Sequence, residues 1–371
     1  MPEKAEVALF GNDQGANNVL DSVEKAAQAE GLKTFRIPGL NVPISEELKA
    51  RASRASAVVL GVSGLRASGK IPEAEFANDL LLKNPGLAGR IVFIEDFPTS
   101  NGTQDPTLRK KGRAFHLCAI LPSLPDAPEH RVFRKVHTVG HPDHWLPAIE
   151  NIGVGIRARK SGAVRKRRRG SAESCLVGPD EVVVYVSGFV GFKPEYLCQI
   201  LDIKEVLGRP VVAHYRAHPS EQNIPELKQL IEERDALLDG QWEIANEEIA
   251  MAGRDSDPRL IGVSDIVIAH PGSTRTFYAG SLRKKLICVM ELIEPKDAQS
   301  SSYDYRSTGL RTHLVQRVSD IRGAMKALLT EGSPEQRELA EKQRLNTIPF
   351  DQKNPPSYGK NVLGVVRGLI V

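Results

Sequence analysis

The sequence predicts an α/β protein of two parallel-sheet lobes that face each other across a cleft. Three observations predict it. Apolar strands alternate with helical segments. The alternation breaks off and restarts at Glu181. The 371 residues are about twice the usual size of one domain. Strands that are apolar throughout are buried on both faces, which is the signature of a parallel sheet covered by its own crossover helices.

In the first half, Val7–Phe10 reads as a strand that runs into Gly11–Asn17, and a helix follows over about 18–30 until Gly31 stops it. Leu32–Ile37 is a strand, Glu46–Arg54 a short helix, Ala57–Val62 a buried strand and Glu73–Leu82 a helix. Arg90–Glu95, Phe115–Leu121 and Val136–Val139 complete the first set of strands. In the second half, Glu181–Val186, Pro210–Tyr215, Trp242–Ala245, Asp265–Ala269 and Leu286–Met290 read as strands. Helices are expected over Glu195–Leu207, Ile224–Leu238, from about Ser273, Asp320–Thr330 and Pro334–Arg344. Between the halves, His144–Asn151 reads as a helix. The expected division is residues 1–150 for the first domain, 151–178 for a basic interdomain linker and 179–371 for the second domain.

Composition narrows the function. Apolar residues make up 41% and charged residues 26%, ordinary for a globular protein and unlike a disordered or disulfide-rich chain. No apolar run approaches the roughly 18 residues of a membrane span. The opening Met-Pro-Glu-Lys-Ala-Glu-Val lacks a signal-peptide core, which predicts a cytoplasmic protein. Cys118, Cys175, Cys198 and Cys288 are too far apart for a zinc or redox pair and are expected to be reduced. His141-Pro142-Asp143-His144 offers no third ligand, so no metal is expected. Net charge is +4, but Arg157–Arg169 alone holds eight basic residues and no acid. The remainder is mildly acidic. One local basic run in an acidic body argues against a nucleic-acid face, which spreads its cations. The run is expected to be a solvated segment, a candidate contact for an anionic membrane surface.

In open parallel sheets ligands bind beyond the carboxyl ends of the strands, so the loops there are the candidate sites. Gly11–Asn17 joins two glycines to Asn12, Asp13, Gln14 and Asn17 directly before a helix, where free amides favour an anion or a sugar oxygen. Its spacing does not fit the G-x-G-x-x-G dinucleotide fingerprint. Glu95-Asp96 ends a buried strand, where desolvation suits a carboxyl to act as general base. Ser187-Gly188 opens a loop of small residues that a ligand can approach closely. Arg216 and His218 follow another strand. Gly272-Ser273-Thr274-Arg275 turns from a buried strand into a helix and combines hydroxyls, helix N-terminal amides and a cation, a phosphate cradle.

Beyond these readings, "SDIVIAHPGSTRTFYAGSLRKKLICV", preceded by a strand into His218-Pro219, resembles the nucleotide-sugar half of glycosyltransferases of the Rossmann-like GT-B fold. Non-hydrolysing UDP-N-acetylglucosamine 2-epimerases share that architecture. "FGNDQGANNVL", "ASAVVLGVSG" and "GRIVFIEDFP" are similar to bacterial surface-polysaccharide glycosyltransferase-like proteins. The resemblance implies a metal-independent, cofactor-free transfer of a sugar from a nucleotide-diphosphate donor to a cell-envelope or polysaccharide acceptor; with the basic run Arg157–Arg169, a cytoplasmic protein peripheral at the inner face of the membrane is expected. It implies donor binding by Gly188, Arg216, His218, Gly272, Ser273, Thr274, Arg275 and Tyr278. Acceptor binding falls to Asn12, Asp13, Gln14 and Asn17, and catalysis to Asp13, Asp96 and His218. Two departures stand out. Tyr278 occupies the place of the Glu that often binds ribose, and Arg283-Lys284-Lys285 replaces the usual Gly-Lys-Pro. A UDP-sugar 2-epimerase and a non-catalytic nucleotide-binding member are the alternatives.

Overall fold

The computed structural model describes residues 5–39, 42–62, 71–95, 105–120, 132–140, 142–167, 173–188, 194–216, 229–230, 233–234, 242–244, 256–269, 274–292, 311–347 and 357–370. The chain divides into two compact units, Met1–Leu146 with Asp351–Val371, and Pro147–Phe350.

The first unit alternates β1 (Glu6–Phe10), α1 (Gln14–Ala29), β2 (Lys33–Ile37), α2 (Glu46–Ser53), β3 (Ala57–Gly61), α3 (Pro72–Lys83), β4 (Ile91–Ile94), α4 (Pro106–Lys111), β5 (Phe115–Ala119) and β6 (Lys135–Thr138). The strands form one parallel sheet in the order β2-β1-β3-β4-β5-β6. β3, β4 and β5 are buried at every position, as their unbroken apolar runs require. Phe10, Leu60, Phe76, Phe93 and Phe115 fill the main core on one side. Asp105 ties two helix starts together: it accepts from the Thr107 and Leu108 amides at 2.7 and 3.1 Å and from the Ile71 amide at 2.9 Å.

The second unit begins with α5 (Leu146–Lys160), β7 (Val164–Arg167) and β8 (Ser174–Leu176). It continues with β9 (Val182–Ser187), α6 (Pro194–Leu201), β10 (Glu205–Val206), β11 (Arg209–Arg216) and β12 (Trp242–Ile244). It closes with α7 (Ser256–Val263), β13 (Ile266–Ala269), α8 (Thr274–Ser281), β14 (Lys285–Val289), β15 (His313–Val315), α9 (Ile321–Leu329) and α10 (Pro334–Asn346). A six-stranded sheet runs β10-β11-β9-β13-β14-β15, parallel except at its β10 edge. A separate antiparallel sheet, β12-β7-β8, stands beside it.

Three features depart from the sequence reading. The segment expected to be a linker is structured: its first part extends a helix, and its basic run supplies the central strand of the small sheet. Arg157, Arg159 and Lys160 fall in the last turn of α5, where cations complement the helix dipole. Arg159 is not solvated. Its side chain is only 16% exposed, and it donates to the carbonyls of Gly178 and Glu181 and to Asp265 Oδ2. Lys166 pairs with Glu181. Arg168 and Arg169 lie outside the described residues. Second, the helix expected over Glu195–Leu207 stops at Leu201, and the following residues form a hairpin in which Leu207 and Gly208, both at positive φ (57° and 68°), turn β10 back onto β11. Third, Trp242–Ile244 pairs with β7 and not with the large sheet. The helix expected over Ile224–Leu238 falls almost wholly outside the described residues.

The last helix, α11 (Tyr358–Ile370), packs on α1 of the first unit, although the sequence reading assigned it to the second domain. Asp143 caps its first turn by accepting from the Tyr358 amide at 2.8 Å. The buried Tyr358 hydroxyl donates to the Glu95 carbonyl at 2.6 Å, and Leu363 packs on Ala26 and Ala27.

In the second unit, α5 and α7 cross at two glycines. A Cβ at Gly155 would collide with the Arg259 carbonyl, and one at Gly262 with the Ile152 carbonyl. Backbone cannot yield as a side chain can, so Gly155→Ala and Gly262→Ala should each destabilise by about 1–3 kcal/mol. Gly323→Ala, on the exposed side of α9 with nothing within 4 Å of the added carbon, should instead stabilise by about 0.5–1 kcal/mol. Urea unfolding of the three variants checks both signs.

Candidate functional site

The strongest concentration of functional chemistry lies at the carboxyl ends of β9 and β11 in the second unit. β9 is a buried apolar strand that ends in Ser187, itself 2% exposed. Ser187 is paired with Arg216, the last residue of β11. The pairing carries one residue past the strand: the Gly188 amide donates to the Arg216 carbonyl at 2.7 Å. Arg275, in the first turn of α8, reaches back and donates from Nη1 to Ser187 Oγ at 2.9 Å. Two half-buried arginines from different elements are thereby brought to one strand end.

This arrangement suits an anion. Guanidinium groups offer several donors in a fixed fork and hold their charge at any working pH. Helix α8 starts beside them, and its first amides add partial positive charge. Thr274 opens that helix, with its side chain outside the described residues. Gly272, Ser273 and His218 also lie outside them. Tyr278 is half-buried against Ile152, Tyr185 and Leu260, so its ring contributes to the core beneath α8. The Arg283-Lys284-Lys285 departure has a structural reading as well. Lys284 is half-buried and donates to the carbonyls of Gly262 and Ser264 at the end of α7. Burial pushes its ammonium down to about 8.

In the first unit, the loop between β1 and α1 is firmly braced. Asp13 is the N-cap of α1, with Oδ1 accepting from the Ala16 amide at 2.8 Å. The Asn17 side-chain amide donates to the carbonyls of Gly11 and Asp13 at 3.1 and 2.7 Å. Arg36 Nη1 reaches Asn17 Oδ1 at 3.4 Å. Gln14 is exposed and donates to Asn18 Oδ1 at 2.8 Å. The structure therefore assembles Asn12, Asp13, Gln14 and Asn17 in one place, but it spends much of their hydrogen-bonding capacity on holding the turn.

Two residues matter here in ways that the sequence reading did not give: Ser187, read only as the start of a small-residue loop, and Glu73, not singled out at all. Ser187 is the acceptor that fixes Arg275, and a serine closing an apolar run was its only signal. Glu73, fully buried in the first turn of α3, accepts from the Asn12 amide at 2.6 Å. An acid one residue after a proline at a helix start reads as a capping feature, which hid its long-range partner. Glu95, the first member of the expected acidic pair, is 3% exposed and accepts from the Ile120 amide at 3.1 Å, which makes it a brace between strand ends. Asp96 lies outside the described residues.

No protein-family model matches the chain, and no curated protein matches it. Among solved structures, the chain is similar to Acinetobacter baumannii MurG at 15% identity and a TM-score of 0.49, over 98% of this chain and 99% of that one. It is similar to the wall teichoic acid polymerase TagF at 12% identity and a TM-score of 0.46, over 99% and 89%. It is also similar to UDP-GlcNAc 2-epimerase from Neisseria meningitidis, solved with UDP-GlcNAc, at 11% identity and a TM-score of 0.42, over 98% and 100%.

Proposed function

We propose that the second unit binds the diphosphate of a nucleotide-sugar and that the protein is a metal-independent glycosyltransferase acting on a cell-envelope or polysaccharide acceptor. The observation that carries this reading is the meeting of Arg216 and Arg275 at Ser187, beside the start of α8. When a glycosidic bond to a nucleoside diphosphate breaks, negative charge grows on the leaving phosphates. Fixed guanidinium groups and helix N-terminal amides stabilise that charge without reorganising. Ser187 holds the Arg275 side chain in place before any ligand arrives, which reduces the ordering cost of binding. Gly188, whose amide is tied to the Arg216 carbonyl, adds no side chain beside them. Gly272, Ser273, Thr274 and His218 belong to the same proposed donor site through the sequence, with Tyr278 beneath it. Asn12, Gln14 and Asn17 form the proposed acceptor loop, and Asp13 or Asp96 the proposed base.

Among the described residues, no helix is long and apolar enough to cross a membrane. Arg157, Lys160 and Arg165 are exposed on the second unit, and through them we propose a peripheral contact with anionic lipid. Co-sedimentation should show binding to anionic and not to neutral vesicles. Equal binding to both rules the contact out.

Calorimetry with UDP, GDP, ADP and CDP should detect one nucleoside diphosphate that binds. Arg275→Ala and Arg216→Ala should each weaken it by about 1.5–3 kcal/mol, the worth of a hydrogen bond to a charged group. A wild type that binds none of the four defeats the reading. An acceptor-dependent turnover of the matching nucleotide-sugar identifies a transferase, and turnover without acceptor identifies an epimerase.

Asp13 can be tested apart from binding. Asp13→Asn keeps a cap and should leave stability within about 0.5 kcal/mol, whereas Asp13→Ala should cost about 1 kcal/mol. If Asp13 is the base, Asp13→Asn loses turnover at full stability. If it only caps, turnover survives.

A further inference from the structure

A second cluster of titratable groups lies in the first unit, at the free edge of its sheet. A groove of about 720 Å³ runs between the β5–β6 edge and α11. His116, His137, Lys135, Lys360, Gly364 and Gly368 line it, with no carboxylate among the described lining residues. Gly364 and Gly368 lie one turn apart on α11, and nothing stands within 4 Å of where their Cβ atoms would be. The helix wall is therefore bare, and the groove stays open along it.

The two imidazoles are coupled. His116 Nδ1 and His137 Nε2 are 3.0 Å apart, and the rings stack at 5.3 Å with 25° between their planes. His116 is 6% exposed. A single proton between the facing nitrogens makes a good hydrogen bond. A second proton would set two N–H donors against each other. Burial is the largest cause holding His116 below its ordinary value, and His137, Arg134 and Lys135 add to it. Burial and Lys135 hold His137 down in the same way. The charged side chains acting on the pair, Arg134 and Lys135, are cationic and come from the strand side, and Lys360 lines the groove from the facing helix. Asp143, near the start of α11, directs its carboxylate at the Tyr358 and Gly359 amides.

A positive, carboxylate-free groove around two suppressed imidazoles is an electrostatic arrangement that an anion completes. We propose that this groove binds a small oxyanion of the phosphate or sulfate class between Lys135, Lys360 and the His116–His137 pair, and that the pair takes up a proton from solvent as the anion binds. A bound anion offsets the burial and the neighbouring cations that disfavour charging the pair, so binding and protonation reinforce each other by linkage. A phosphate monoester, free or as a lipid headgroup, has the same chemistry.

The sign follows from the lowered histidines. Without anion, the contribution of these histidines to the first unit's stability is fully present above the ordinary histidine value of 6.5 and is lost as pH falls toward the depressed folded values. Anion should oppose that loss. Sulfate is the first probe, because it does not titrate in this range. Imidazole resonances, assigned through His116→Gln and His137→Gln, should move with added sulfate. Their titration midpoints should rise, and affinity should tighten by about tenfold per pH unit for each proton taken up. Lys135→Gln and Lys360→Gln, both at exposed positions, should fold normally and weaken binding severalfold. Arg275→Ala should leave these resonances' response intact, which separates this site from the nucleotide site. Glycerol phosphate and phosphatidic acid vesicles then divide the free from the lipid source. Imidazole midpoints that ignore sulfate, or lysine variants that bind unchanged, overturn the proposal.

Discussion

Burial of the central strands on both faces is the constraint from which the rest of each unit follows. β3 and β4 in the first unit and β9 and β13 in the second are buried along their whole length. A strand of that kind has no face to offer a ligand. Parallel order requires each connection to cross over, and the crossover helices close both faces. Ligand chemistry is left to the strand ends and to the sheet edge. The two sites occupy those two places: Arg216 and Arg275 at strand ends, and His137 on the edge strand with His116 against it.

The two ends of the second sheet treat the same chemistry in opposite ways. At the amino-terminal end, Arg159 binds the carbonyls of Gly178 and Glu181 together with Asp265, and Asp265 also accepts from the Val183 amide at 2.8 Å. Lys284 is likewise consumed by the carbonyls that end α7. These cations satisfy backbone groups that would otherwise be buried unpaired. At the carboxyl end, the strands deliver arginines to a turn at the start of a helix, and one of them is held by a neutral serine hydroxyl.

What could be read in the sequence follows the range of the interaction responsible. β1, β3, β4, β5, β9, β13 and β14 announce themselves by local apolar runs. The turn at Leu207-Gly208 does not, because a leucine at positive φ gives no warning and the preceding residues continue a helical pattern. The basic strand β7 is masked by its own charges: its pairing with β8 and β12 depends on partners far along the chain. Site residues divide in the same way. Arg216 and Arg275 are visible because each directly follows a buried strand or opens a helix. Their meeting at Ser187 is a tertiary fact. The His116–His137 contact joins two neighbouring parallel strands, and only the register between them brings the rings together. The Tyr358–Glu95 bond spans 263 residues and leaves no local trace.

That last bond has a consequence for how the chain is made. The first unit consists of two stretches of sequence with the whole second unit inserted between them. During synthesis, residues 1–146 emerge first, but the helix that covers Ala26 and Ala27 of α1 emerges only after some two hundred further residues. At usual elongation rates that is a wait of about ten seconds or more, long compared with helix formation and collapse. Through that interval the nascent first unit carries an apolar strip on α1 without its final cover. Assembly is therefore ordered by connectivity: the unit translated first is the one completed last.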